Sequence, residues 1–165
     1  MTTDIETIIF ALFIGITPSL IWLWFWLKQD KEHPEPNIVL LTVFILGMVF
    51  VFLAIPIQKY IQNNISNEIL RIISWATTEE ILKFGAVIFL LYKTKYIDEP
   101  TDWPIYLITA ALGFAALENV FFALKPLLVG ENISGLLTGQ LRFLGSTLLH
   151  SISSGIIGIS LGLSF

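Results

Sequence analysis

Five long apolar stretches set the architecture of this chain, because each is close to the length that a helix needs to cross a lipid bilayer. They run over residues 5–27, 38–57, 69–92, 104–124 and 141–165. A hydrocarbon core of about 30 Å takes roughly 20 helical residues, and a helix satisfies its backbone hydrogen bonds where water is absent. The sequence therefore predicts an all-α, polytopic transmembrane bundle with about five spans, forming one integral-membrane domain over residues 1–165.

The composition agrees with a membrane protein and excludes several other classes. Of the 165 residues, 55% are hydrophobic and 13% are charged, against a charged share of about 25% in typical soluble domains. The chain contains no Cys, which excludes a disulfide framework and a thiolate metal site. The net charge is −4 and the basic residues form no cluster, so no nucleic-acid partner is expected.

The orientation rests on a small asymmetry around the first span. The loops on the two sides of the membrane carry four Lys or Arg each, so the positive-inside rule gives no majority. Lys28 and Lys31 directly follow the first span, whereas the residues before it contain neither Lys nor Arg. This asymmetry favours an N-terminus on the outside.

Charged residues inside the third span are the second informative feature. A charge at the bilayer centre costs roughly 2.5–3.5 kcal/mol on insertion scales, so such residues usually face a cavity or a partner. Lys83 follows Glu79 and Glu80 at i+4 and i+3, a spacing at which one cation partly neutralises both carboxylates. A simple salt bridge needs only one glutamate, so the pair favours a functional role.

The fourth and fifth spans each carry polar residues at a similar depth. Glu118 and Asn119 lie in the fourth span, and His150 lies in the fifth. With a rise of about 1.5 Å per residue, Glu79, Glu118 and His150 lie roughly 15, 9 and 13 Å from the same membrane face. Three successive helices therefore bring ionisable side chains to one layer, where a shared site is sterically reasonable.

Such a layer is compatible with more than one chemistry. A glutamate can accept a proton from water while His or Asn stabilises the oxyanion. The candidates Glu79, Glu80, Glu118 and His150 also suit a divalent metal such as zinc with one open position. The same groups fit a small ion- or proton-coupled transporter, and a non-catalytic helper protein is a third reading. Residue chemistry alone leaves these alternatives open.

Three motifs in a fixed order resemble the PrsW family of intramembrane proteases, within the CAAX-prenyl-protease-like superfamily. They are EEILK at 79–83, YLITAALGFAALENVFF at 106–122, where Phe114 stands four residues before Glu118, and LLHSISSGIIG at 148–158, which contains His150. The loops DKEHPEP (30–36) and DEPTD (98–102) are also similar to segments of the family. The resemblance covers about residues 28–158.

The resemblance implies a role for each matching residue. Glu79 or Glu80 would be the general base that activates water. Glu118 and His150 would share water positioning, metal ligation and proton donation. Asn119 would donate to the oxyanion, with Phe114 in a supporting place, and Lys83 would tune the glutamate pair. Whether the site is of the metal-free glutamic type or zinc-dependent stays open.

The resemblance also implies a substrate and a location. The expected activity is hydrolysis of membrane-anchored proteins, such as site-1 cleavage of an anti-sigma factor in a bacterial cell membrane. Relatives that process prenylated proteins have a His where this chain has Glu118, so a prenylated substrate is not expected. The family has more spans than five, so we expect a truncated or naturally short chain.

Overall fold

Every regular element in the described part of the chain is a helix. The structure is a computed structural model that describes residues 5–28, 34–92, 94–129, 137 and 140–165. The helices are α1 (Ile5–Leu27), α2 (Asn37–Asn64), α3 (Glu68–Leu91), α4 (Asp102–Leu128) and α5 (Thr147–Gly162), and one π-helical turn (Arg142–Ser146) precedes α5. The prediction of an all-α helical bundle is confirmed.

Three of these helices are long and apolar enough to cross a membrane, namely α1, α2 and α4. The helix α3 has 24 residues, but five of them are charged. The helix α5 is apolar and has 16 residues. Passage of α3 and α5 through the bilayer stays a prediction.

The helices α2 and α4 run further than the apolar stretches that predicted them. The sequence predicts a polar connection over residues 58–68, but α2 continues through most of it to Asn64. Gln and Lys are good helix formers, so loss of apolar character does not end the helix. The chain turns only at Ile65, and Asn67 caps α3 by accepting a hydrogen bond from the Leu70 amide at 3.0 Å.

The helix α4 lies at the centre of the bundle and packs against each of the other four helices. Its contact with α2 is especially close. A Cβ atom at Gly47 would lie 2.2 Å from the carbonyl oxygen of Ala110, and one at Gly113 would lie 2.0 Å from that of Phe44. Small residues at both positions let the two backbones touch. This crossing fixes α4, which carries Glu118, between α2 and α5.

The loops 34–36 and 98–102 meet on one face of the bundle. The Tyr106 hydroxyl donates a hydrogen bond to Glu35, and the Asp102 carboxylate accepts from the Asp98 and Glu99 amides at 2.9 and 2.7 Å. Burial raises the pKa of Glu35 to about 7, and the neighbouring Asp102 and Asp98 act in the same direction. Two segments that carry the family resemblance are thus adjacent, although residues 30–33 lie outside the described part.

Candidate active site

The side chains of Glu79, Glu118 and His150 meet in the interior of the bundle. Each offers a ligand atom, and these atoms all lie within 4.8 Å of one another. The His150 Nε2 atom is 3.3 Å from Glu118 Oε2, and Nδ1 is 3.8 Å from Glu79 Oε2. The three side chains are only 12–17% exposed. The layer predicted from depth therefore corresponds to side chains that are close in space.

The two adjacent glutamates occupy different surroundings. Glu79 lies in a cavity between α2, α3 and α4, where its Oε1 accepts a hydrogen bond from Gln58 at 2.8 Å. Glu80 lies in a cleft beside α5 and accepts from Ser153 and Ser154 at 2.9 and 2.6 Å. Neighbouring helical residues point about 100° apart. Only Glu79 of the pair therefore joins Glu118 and His150.

Lys83 links the two parts of the cluster. Its side chain is fully buried, and Nζ lies 2.6 Å from Glu80 Oε1 and 2.7 Å from His150 Nδ1. Because an ammonium group can only donate, we assign Nδ1 as the acceptor, which places the proton of a neutral ring on Nε2. That proton faces Glu118. The Phe114 ring covers this contact, with its centroid 5.2 Å from Lys83 Nζ.

Arg142, which is not among the site residues predicted from the sequence, also contacts the cluster. It lies on the π-helical turn, donates to Glu118 Oε2 at 2.6 Å and to Asn119 Oδ1 at 2.5 Å, and its guanidinium stacks 4.0 Å from the centroid of the Phe122 ring. A π-helical turn is uncommon and frequently marks a functional site. The charge count in the sequence could have indicated Arg142. Lys83 is the cation predicted for Glu79 and Glu80, which leaves Glu118 without one.

Asn119 is placed beside Glu118 and contacts the start of α5. Its side chain is buried, and Nδ2 donates to Thr147 Oγ1 at 2.9 Å while Oδ1 accepts from Arg142. These two hydrogen bonds hold α4 against the π-helical turn and the start of α5. A role for Asn119 as an oxyanion donor stays a prediction.

The comparisons with known proteins agree on one family. A family model described as PrsW family intramembrane metalloprotease matches residues 35–165. The Protease PrsW of Geobacillus kaustophilus (strain HTA426) is 29% identical over 151 residues, which are 90% of this chain and 64% of that protein. The Protease PrsW of Bacillus subtilis (strain 168) is 28% identical over 151 residues, with 90% and 66% covered. No solved structure matches the chain.

The matched region contains every candidate site residue, and the chain spans slightly less than two thirds of the length of these relatives. Together with three helices that can cross a membrane, the relatives identify an integral membrane protein. The family expected from the order of the three motifs is confirmed. This chain belongs to the PrsW family of intramembrane metalloproteases.

Proposed function

We propose that this protein is an intramembrane endopeptidase, which hydrolyses peptide bonds of membrane-anchored proteins with water activated by a glutamate. The observation that carries the proposal is the cluster of Glu79, Glu118 and His150 on three helices of a PrsW-family chain. Ionisable residues at this depth are costly and usually functional. Two carboxylates and one imidazole that are all largely buried are suited to general acid–base chemistry.

In the proposed reaction, Glu79 is the general base. Its carboxylate takes a proton from water while the water oxygen bonds to the substrate carbonyl carbon, giving a tetrahedral oxyanion. Collapse of this intermediate breaks the C–N bond, and protonated Glu79 returns the proton to the leaving nitrogen. In support, Glu79 lines the cavity between α2, α3 and α4, and the neutral Gln58 amide donates to it.

Glu118 and His150 orient the water in this scheme. Glu118 is held by Arg142 at 2.6 Å and faces His150 Nε2 at 3.3 Å, so its charge is compensated and its position is defined. A carboxylate held in this way can accept a hydrogen bond from the attacking water without taking its proton. Arg142 acts through Glu118 and is a positioning residue.

Glu80 and Lys83 position the imidazole. Glu80 accepts hydrogen bonds from Lys83, Ser153 and Ser154, and a carboxylate with this many donors is poorly suited to accept a proton. Lys83 in turn holds His150 by Nδ1. Of the two glutamates proposed as the base, we therefore assign catalysis to Glu79 and support to Glu80.

The family description implies a metal, and the donor set can be tested for one. Glu79, Glu118 and His150 are near enough to share an ion. However, ligation by Nδ1 would displace Lys83, and ligation by Nε2 would require a proton on Nδ1, where the Lys83 ammonium offers only hydrogens. The residues as arranged here do not fit a metal, and no step of the proposed reaction uses one.

We also propose a substrate and a location, which the family resemblance and the lysines after the first span support. A PrsW-like enzyme in a bacterial cell membrane would cut a membrane-anchored substrate of the anti-sigma-factor type. With the N-terminus outside, the face formed by residues 34–36 and 98–102 would be cytoplasmic. Exposed Lys28 at the end of α1 would lie on that face.

A reconstituted cleavage assay tests the proposal. The full chain and a single-span substrate protein are placed in liposomes, and products are identified by mass spectrometry. We expect wild type to release a defined peptide and both Glu118→Gln and His150→Ala to release little. Glu68→Gln, an exposed glutamate on α3, is the matched control and should cleave normally. Normal cleavage by both site variants, or ion flux without a peptide product, would contradict the proposal.

A further inference from the structure

The cavity that holds Glu79 and Glu118 is larger than water activation requires. It has a volume of about 490 Å³ and is bounded by α2, α3 and α4. Apolar side chains, including Ala54, Trp75 and Phe122, form most of its wall. Ligand sites typically combine such a wall with a few polar groups, at volumes of about 300–1,000 Å³. The size and lining are those of a binding pocket.

The shape of the cavity follows from the way α2 and α4 cross. Their backbones touch at Gly47 and Gly113. Further along both helices, side chains rather than backbones meet: Ala54 packs in one cluster with Phe114, and the Phe52 and Phe121 rings meet edge-on at 6.0 Å. Beyond the glycine crossing, residues of both helices line the cavity.

The rim of the cavity is apolar and lies below the ends of the helices. Ile55 and Phe122 are 46% and 51% exposed, whereas Glu79 and Glu118 at the other end are 16% and 17% exposed. The apolar stretches predicted for these two helices end at residues 57 and 124, so at about 1.5 Å per residue Ile55 and Phe122 each lie about 3 Å inside the predicted hydrocarbon boundary. Exposed apolar residues at this level lie at the edge of the hydrocarbon, so a bound chain would enter the cavity near the membrane interface.

We infer that this cavity binds a large apolar side chain next to the scissile bond of a membrane-embedded substrate. The inference rests on the proposed function and adds the substrate class to it. Ala54 is the specificity-determining residue, because it is buried in the wall and its small side chain leaves the volume open. A Leu- or Phe-sized group in the pocket would bring its own peptide bond beside Glu79.

Substitution of Ala54 tests the inference by changing substrate preference. Single-span substrates in liposomes carry Ala, Leu or Phe at each residue flanking the cut that wild type makes. Wild type should prefer Leu and Phe over Ala. Ala54→Phe fills the pocket and should lower the Leu-to-Ala ratio of kcat/KM at least about tenfold, since a single methylene in an apolar pocket changes such ratios by about 10–200-fold.

A neighbouring substitution supplies the control. Leu53→Phe adds a ring to a side chain that is 50% exposed and should leave the ratio unchanged. Ala54→Val, a smaller change, should shift the ratio in the same direction and keeps the test valid if Ala54→Phe does not fold. No cleavage by wild type would overturn the proposed function itself. Cleavage by Ala54→Val or Ala54→Phe with the wild-type ratio would overturn only the pocket.

Discussion

Substitution of Arg142 measures how strongly the π-helical turn holds Glu118. The guanidinium makes hydrogen bonds of 2.6 Å to Glu118 and 2.5 Å to Asn119. A hydrogen bond to a charged group contributes about 1.5–3 kcal/mol. The two side chains of the ion pair are 16% and 17% exposed, so we take the lower value for each bond. Arg142→Gln should then lower the free energy of unfolding by about 3 kcal/mol.

A double-mutant cycle separates the ion pair from other effects of the substitution. Arg142→Gln, Glu118→Gln and the double variant are unfolded in mixed micelles of dodecylmaltoside and SDS. We expect a coupling free energy of about 2 kcal/mol, within the range for contacting residues. Lys125→Gln, an exposed cation on α4, should couple to Glu118→Gln by less than about 0.5 kcal/mol. An equally small value for Arg142 would refute the contact.

Three further predictions concern the metal, the loop and the helix crossing. Chelation with 1,10-phenanthroline should leave cleavage unchanged because Lys83 engages the imidazole; an activity loss that zinc reverses would contradict this. Folding stability should fall as pH rises from about 4.5 to about 7, because the unfolded chain ionises Glu35 at its ordinary pKa while burial raises the folded-state pKa to about 7. Glu35→Gln should remove this part of the pH dependence of thermal unfolding, and an unchanged profile would argue against it. Gly47→Ala should destabilise by about 1–3 kcal/mol through overpacking, whereas Gly85→Ala, with its nearest neighbour at 3.6 Å, should not; equal effects would contradict the close crossing.

The helices were predictable because hydrocarbon thickness fixes the length of an apolar run. The ends of the helices were harder to predict. The helix α2 continues through polar residues to Asn64, because a helix outside the hydrocarbon needs no apolar side chains. The close crossing at Gly47 and Gly113 depends on which faces of two helices meet. Tertiary packing determines which faces meet, and the sequence of either helix alone does not reveal them.

Depth predicted the candidate site in part, because distance along a helix axis can be counted from the sequence. Counting brought Glu79, Glu118 and His150 to one layer, and their ligand atoms lie within 4.8 Å. The sequence does not show which way each side chain points around its helix. It therefore could not tell which of Glu79 and Glu80 faces Glu118 and His150. Arg142 was missed because the π-helical turn that directs it toward Glu118 has no clear sequence pattern.

The most direct test of the account compares Glu79→Gln with Glu80→Gln in a single-turnover cleavage of one membrane-embedded substrate. Loss of a general base costs typically about 10²–10⁴-fold in rate, so Glu79→Gln should fall by at least about a hundredfold. Glu80→Gln keeps hydrogen-bonding atoms near Lys83, Ser153 and Ser154 and should retain most of the rate. A Glu80→Gln variant that is inactive beside an active Glu79→Gln variant would contradict the assignment of the base.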